Sequence, residues 1–396
     1  MKMDKVVLKE KAEKFLSRRA YTIYSKWIKE DPAVPQGSFV EFVLRDEIVA
    51  RGFYERIGPI GGRILAYVSE NDSRSLEDII EWRLEKAYKL RMMGGERPEK
   101  GYRLLYADSD GTPGLIADVF GDTAVLQSSS FGWDSSSSVL ARKIVELGIS
   151  QRVYLKNDQR GRKAFGLPVF REFLIGAPPP EVVIEENGYR VIVNYGEGQK
   201  TGFYIDQREA RRKISEMNLK DFKVLDLFSY TGSFSLAALT AGASSSILVD
   251  EDEIALEIAR RNMIENGFQE RFEIIRGRVE KILENLVAKR RRFDLIIADP
   301  PAFIPTLSHK ERGMRAYANL FRNSMKIIQP GGLLYASSCS HSLREEELLK
   351  LLREAARSNG FTLRVIFHAS EYNAIPYVRS EDSGLLYLKG FLMRVE

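Results

Sequence analysis

The sequence predicts an α/β protein in three parts: a β-rich first module, a small central α+β segment, and a doubly wound, mainly parallel sheet at the end. Three observations carry that prediction. From about residue 220, apolar runs of strand length alternate with helical patterns, in the order KVLDLF, SILVD, FEIIR, DLIIAD, LLYASS, TLRVIF and YLKGFLMRV. Between about 100 and 180, strands surround one helical pattern. Before residue 70 the alternation is that of a hairpin. At 396 residues the chain is also too long for one core.

In the first part, Gly37-Ser38 precedes the strand FVEFVL, Arg45-Asp46 makes a turn, and EIVARGFY returns beside it. The linker SENDSRS leads into a helix. Ser75 can cap that helix with Asp78 three residues on, and Ile79, Ile80, Leu84, Ala87 and Leu90 keep helical spacing until Gly94-Gly95. The middle part reads YRLLYAD, then LIADVF and TAVLQSS around Gly121-Asp122, a helix over 135–147, and RVYLK. Pro178-Pro179-Pro180 closes it as a stiff boundary. A hairpin around Asn187-Gly188 follows, with VVIEE and YRVIVNY as its arms. The expected domains are therefore 1–72, 73–180 and 181–396.

Apolar residues at 44% and charged residues at 29% exclude a disordered chain. No run approaches the ~18 apolar residues of a membrane span, and MKMDKVVLKEKAEKF has charges where a signal peptide needs its apolar stretch. A single cysteine cannot close an internal disulfide, and with three histidines it makes no case for a protein-only metal site. A cytoplasmic location is the default expectation. The net charge of +5 is modest, but its distribution is uneven. Residues 5–29 hold eight Lys/Arg against two Glu, with Tyr21, Tyr24 and Trp27 interleaved. Residues 151–171 hold Arg152, Lys156, Arg160, Arg162, Lys163 and Arg171 against Asp158, with Tyr154, Phe165 and Phe170. Such patches suit a phosphate-bearing partner whose bases can stack. They also suit a solvated or heat-adapted surface.

In open α/β sheets, ligands sit beyond the carboxyl ends of the strands. The first strand of the last part ends VLDLF and continues as SYTGSFS into a helix, with Asp226 leaving the strand and Gly232 allowing a tight path. The second strand ends at Asp250, 24 residues later, where a carboxylate can accept both hydroxyls of a ribose. One glycine in the loop does not make a dinucleotide fingerprint. A nucleoside carrying an amino acid rather than phosphates fits better, and S-adenosylmethionine is that ligand. Asp226 could equally cap the helix. The fourth strand ends Asp299-Pro300-Pro301-Ala302-Phe303, a rigid turn able to hold the edge of a flat base, with Phe303 to stack on it. The fifth ends Ser338-Cys339-Ser340-His341, which puts the only thiol on the same rim. A lone cysteine is often just a small buried hydrophobe; between serines beside the DPP turn, it is a candidate nucleophile.

Four segments together, KTGFYIDQR (200–208), VLDLFSYTGSFS (224–235), DPPAF (299–303) and SCS (338–340), resemble the RlmI-type 23S rRNA (cytosine-C5) methyltransferases. The likeness spans the chain. It implies an N-terminal PUA domain, a central strand–strand–helix–strand–strand domain and a C-terminal Rossmann-like class I methyltransferase domain. It implies S-adenosylmethionine as cofactor, held by Asp226, Phe228, Gly232, Asp250, Gln207 and Asp299. Catalysis would rest on Cys339 and Asp299, and RNA contacts on Pro300, Phe303, Arg160, Arg162 and Lys163. The partner is RNA, 23S rRNA by resemblance, with no membrane and with a homodimer left open. Two departures stand out: Arg278 occupies the place of the usual Asp near the adenine amine, and AYTIYSKWI replaces the His-Pro-Trp segment of relatives. Uridine-C5 methylation, exocyclic N-methylation and a non-catalytic RNA-binding role remain as alternatives.

Overall fold

The structure, a computed structural model, describes residues 3–30, 32–73, 75–159, 161–177, 179–370, 375 and 387–396. The first sheet contains β1 (Lys5–Val7), β2 (Thr22–Tyr24), β3 (Phe39–Leu44), β4 (Glu47–Ile57) and β5 (Ile60–Tyr67), in the order β1-β3-β4-β5-β2. A short helix, α1 (Glu13–Leu16), lies between its first two strands. The turn Arg45-Asp46 joins β3 to β4 with both residues left-handed, at φ 50° and 64°. That is unfavourable for residues with a Cβ. Arg45 offsets part of the cost through two hydrogen bonds to the Glu13 carboxylate, at 3.0 and 2.8 Å.

Helix α2 (Leu76–Met93) begins as expected, with Ser75 Oγ accepting the Asp78 N–H at 3.3 Å. The second sheet then runs through β6 (Tyr102–Tyr106), β7 (Leu115–Phe120), β8 (Thr123–Ser128), β9 (Arg152–Asn157) and β10 (Phe170–Ile175), in the order β10-β9-β8-β7-β6. Helices α3 (Phe131–Ser135) and α4 (Ser137–Glu146) join β8 to its parallel neighbour β9, and α5 (Gly161–Ala164) precedes β10. Its core combines Leu104, Val119, Leu126, Trp133 and Ile144 with Ile80 and Leu84 of α2.

The first two sheets meet at a polar seam. Glu55 of β4 is fully buried and accepts the Ser130 hydroxyl and the N–H groups of Phe131 and Gly132 at the start of α3. Gly132 is required there, since a Cβ would lie 2.1 Å from the Phe53 ring. Arg63 donates to the Ser129 carbonyl at 2.8 Å, and Arg83 to the Leu65 carbonyl at 2.7 Å.

Strands β11 (Glu181–Glu186) and β12 (Tyr189–Asn194) form the Asn187-Gly188 hairpin, with φ 50° and 83°. The third sheet contains β13 (Lys223–Leu227), β14 (Ser245–Asp250), β15 (Phe272–Arg276), β16 (Phe293–Ala298), β17 (Ile328–Ser338), β18 (Leu363–Ser370) and β19 (Lys389–Val395). Its order is β15-β14-β13-β16-β17-β19-β18, parallel except for β19. Helices α6 (Arg208–Ser215), α7 (Ser233–Thr240), α8 (Glu253–Glu265), α9 (Val279–Ala288), α10 (Lys310–Ile327) and α11 (Glu345–Arg357) connect or cover the strands. The order reverses between β13 and β16, which is where such sheets open a crevice.

The chain divides into two compact units, one built on the part up to Ile184 with Val193–Phe203, the other on Glu185–Ile192 and Tyr204–Ile375. No helix among the described residues is long and apolar enough to cross a membrane.

Candidate active site

Strand register brings the sequence motifs to one rim. Leu227 pairs with both Val249 and Ala298, and Ala298 pairs with Ala336. The residues one step further on, Phe228, Asp250, Asp299 and Ser337, therefore stand level at four neighbouring strand tips, and Cys339 follows two residues after Ser337.

The loop from β13 to α7 is strained. Phe228 and Tyr230 are left-handed at φ 62° and 47°, and Gly232 follows at 78°. Non-glycine residues held this way cost on the order of 1 kcal/mol or more each and cluster at functional sites. Gly232 has no room for a side chain, since a Cβ would come within 2.8 Å of Leu248 and 2.9 Å of Met263. Asp250 fixes the loop by accepting the Tyr230 N–H at 2.8 Å on one oxygen and the Asp252 N–H at 3.0 Å on the other. Asp226 is buried, and its Oδ2 accepts both the N–H (3.1 Å) and the hydroxyl (2.7 Å) of Ser235 in α7. The helix-capping alternative is thus realised for that oxygen. Burial raises the Asp226 carboxyl to about 7, against the pull of the Ser235 hydrogen bonds; Asp299 and Asp250 push it further up.

Asp299 is held from two sides. Gln207 donates to its Oδ1 at 2.9 Å, and the Ser337 hydroxyl donates to the same oxygen. Burial raises its pKa to about 6; Ser337 lowers it, Asp206 raises it, and Gln207 and Arg211 lower it. The other end of the Gln207 amide accepts the Tyr335 hydroxyl at 2.6 Å. Gln207 is therefore engaged by protein at both ends and positions Asp299, a correction to its expected place on the cofactor. Cys339 is partly exposed, its Sγ 4.0 Å from the Pro300 carbonyl across the strand tips. Pro300 is buried, whereas Pro301 and Ala302 are exposed. Phe303 packs its ring against Tyr317 (4.8 Å) and Phe228 (6.0 Å), which anchors the DPP turn to the core. His341 is exposed, and the Arg278 guanidinium faces solvent beside Glu280 at 3.6 Å.

Three groups at this rim were not singled out in the sequence. Among the described residues, the Ser229 and Thr231 hydroxyls are buried without a hydrogen-bond partner, and so is Asp206 Oδ1, whose Oδ2 accepts from Tyr387. Orphaned buried polar atoms are rare in a finished interior. Ser229 and Thr231 lie in the quoted SYTG and Asp206 in FYIDQR, so only the signal of satisfaction was missing. Two unpaired hydroxyls on the loop beside Gly232 and Asp250 fit the expected cofactor, which offers amine, carboxylate and ribose groups to meet them.

The basic stretch 151–171 is corrected. Lys156 is fully buried and donates to the Gly198 carbonyl; Arg171 pairs with Asp158 and Glu197, and Arg152 with Asp122. Arg162 is 2% exposed, committed to Asp134 and to the carbonyls of Ser128 and Pro168. These cations hold the second sheet together, and Arg162 is not available to RNA. Lys163 is exposed, and Arg160 lies outside the described residues. The stretch 5–29 behaves as expected: all eight of its Lys/Arg are exposed.

Comparison with known proteins identifies the family. The family model for S-adenosylmethionine-dependent methyltransferases matches residues 149–379, and that for the PUA-like domain matches residues 6–67. Ribosomal RNA large subunit methyltransferase I of Pseudoalteromonas atlantica is 33% identical over 396 residues, covering 99% of each chain. Its counterpart from Aliivibrio fischeri is 34% identical over 395 residues, covering 98% of this chain and 99% of the other. A solved structure described as a SAM-dependent methyltransferase from Streptococcus mutans superposes with a TM-score of 0.79 at 20% identity, over 99% of this chain and all of the other.

Proposed function

The chain belongs to the ribosomal RNA large subunit methyltransferase I family of S-adenosylmethionine-dependent methyltransferases, and from that premise we propose that it methylates carbon 5 of a cytosine in 23S rRNA through a thiol adduct on Cys339. The observation that carries this reading is the pairing at adjacent strand tips of a held carboxylate, Asp299, with the only thiol of the chain. Residues 1–72 and 73–180 would serve the RNA, and 181–396 the transfer.

S-adenosylmethionine supplies the methyl group when bound. Asp250 would accept its ribose hydroxyls, and Asp226, Phe228, Gly232 and the unpaired hydroxyls of Ser229 and Thr231 would surround the rest. Carbon 5 of cytosine is a poor nucleophile. Addition of the Cys339 thiolate to carbon 6 forms an S–C bond and moves the ring electrons onto carbon 5, which can then take the methyl group. Loss of the carbon-5 proton restores the double bond and expels the thiolate. Asp299 as a carboxylate accepts an N–H of the exocyclic amine and orients the ring. The base must leave its stack to reach this rim. With Asp299 raised to about 6, its acceptor role is present above that pH and fades below it.

RNA carrying 5-fluorocytidine tests the mechanism, because fluorine replaces the proton that must leave. Wild-type enzyme is expected to stay covalently attached. Cys339→Ala should give neither adduct nor turnover while keeping cofactor binding. An active Cys339→Ala enzyme would sink the thiol mechanism and leave N-methylation at the DPP turn as the reading to pursue.

A further inference from the structure

The second unit buries one carboxylate at the rim that neither the cofactor nor the base edge is expected to engage. Asp206 belongs to a single turn of 3-10 helix, Ile205–Gln207, and is 7% exposed. Its Oδ2 accepts the Tyr387 hydroxyl. Its Oδ1 is the only carboxylate oxygen among the described residues that is both buried and unbonded. Interiors seldom leave such an acceptor unmet, and a donor brought by a ligand would complete it.

The fold brings Asp206 to the strand tip that carries the thiol. Gln207, the next residue on the turn, donates to Asp299 at 2.9 Å. Tyr387 is tied to the SCS tip, because Lys389 Nζ donates to the Tyr387 carbonyl at 2.9 Å and to the Ser340 carbonyl at 2.8 Å. Lys389 itself pairs with Ser338 across the strands, and the Tyr387 ring lies 5.7 Å from that of His341. Tyr204, two residues before Asp206, senses the same surroundings. Burial pushes its hydroxyl up, and Tyr230, Asp206, Asp299 and Cys339 push it further. Both carboxylates and the thiol are thus within electrostatic reach of one hydroxyl. The other rim carboxylates are engaged: Asp299 Oδ1 takes two donors, Asp226 Oδ2 takes two from Ser235, and both oxygens of Asp250 accept loop N–H groups.

We propose that Asp206 is the base that takes the carbon-5 proton after methyl transfer. The bond from carbon 5 to that proton breaks, and its electron pair forms the double bond between carbons 5 and 6. The bond from carbon 6 to sulfur breaks, and its pair leaves on Cys339 as thiolate. The proton ends on Asp206 Oδ1, which later gives it to water. A general base works when it is held within hydrogen-bond reach of the proton. Tyr387 fixes one oxygen of Asp206 and leaves the other to accept. The proposal rests on the Cys339 reading, since without an adduct at carbon 6 there is no such proton to remove.

Asp206→Asn tests it on the full chain with unmethylated 23S rRNA and labelled S-adenosylmethionine. The amide still accepts the Tyr387 hydroxyl, so melting temperature and cofactor affinity should match wild type. The thiol should add and the methyl group transfer, but the product should stay attached. A labelled protein–RNA adduct is expected on a denaturing gel, where wild type leaves none, with turnover lowered roughly 10²–10⁴-fold. Adding Cys339→Ala should remove that adduct. Asp206→Glu, which keeps the charge should the amide not fold, is expected to fall between the two in turnover and adduct lifetime. Wild-type turnover in either variant, or an inactive Asn variant that traps no rRNA, would overturn the assignment while wild type is still trapped by 5-fluorocytidine RNA. Failure of wild type to be trapped would strike the thiol reading itself, and the base with it.

Discussion

The two units share closed buried ion pairs, but the second adds a cluster of raised carboxylates at its strand tips. In the first, two buried arginines are closed into pairs. Arg103 meets both oxygens of Asp118 at 2.8 and 2.9 Å, with Thr201 adding a third hydrogen bond at 2.6 Å. Arg91 grips both oxygens of Asp110 at 2.6 Å and donates to the Arg103 carbonyl. In the second, Arg211 closes on both oxygens of Glu186 in the same way, but the sheet core is apolar and Asp226 and Asp299 stand at its strand tips with pKa values pushed upward. Unpaired hydroxyls lie beside them. Completed hydrogen bonding marks a structural charge, and unpaired hydroxyls gathered beside raised carboxylates at strand tips suit a place kept for a ligand.

The contrast can be broken most severely in the first unit. Asp118→Ala leaves Arg103 buried and Thr201 unpaired, and should destabilise by about 3–5 kcal/mol, read as a drop in urea midpoint. An effect under 1 kcal/mol would mean that the pair is not structural. In the second unit the sign changes with pH. Asp226, raised to about 7, binds its proton more tightly folded than unfolded, so stability falls as pH rises from about 4 through 7. Asp226→Asn should flatten that slope by roughly 2–4 kcal/mol across the range; an unaltered slope in thermal melts would place its origin elsewhere. Next, Asp250→Ala should weaken S-adenosylmethionine by roughly 1–3 kcal/mol, the cost of leaving buried hydroxyls without an acceptor. Unchanged calorimetric affinity would remove Asp250 from the cofactor. The smallest effect sharpens the contrast most. Thr231→Val removes an orphaned hydroxyl, so the ligand-free protein should be unchanged or up to about 1 kcal/mol more stable, while the cofactor-induced rise in Tm shrinks.

Most strands were legible because their signals are local. KVLDLF, DLIIAD and the Asn187-Gly188 turn carry their own periodicity or turn chemistry. β10 escaped because FREFLI is largely exposed and lacks clean alternation. The rim was legible for the same reason, since Asp250, Asp299 and Cys339 stand at the ends of recognisable strands and Asp226 one residue before the end of another. What stayed hidden was pairing across distance. Nothing near Arg162 announces Asp134, 28 residues away, and nothing near Gln207 announces Tyr335, 128 residues on. A basic residue therefore reads as surface until its partner is found.

The passage of the chain between units has a consequence for biosynthesis. Val193–Phe203 packs with the first unit although Glu185–Ile192 before it belongs to the second. Lys156 is buried against Gly198, and Asp118 takes its third hydrogen bond from Thr201. A nascent chain that has just released Ile184 therefore lacks one partner of each of two buried charged groups. The 19 residues from there to Phe203, at roughly 5–20 residues per second, take about 1–4 s to make. During that interval the emerging first unit is open at Lys156 and incompletely bonded at Asp118. Its folding is completed only by a segment translated after the first stretch of the second unit, so the two units mature as an interleaved pair rather than one after the other.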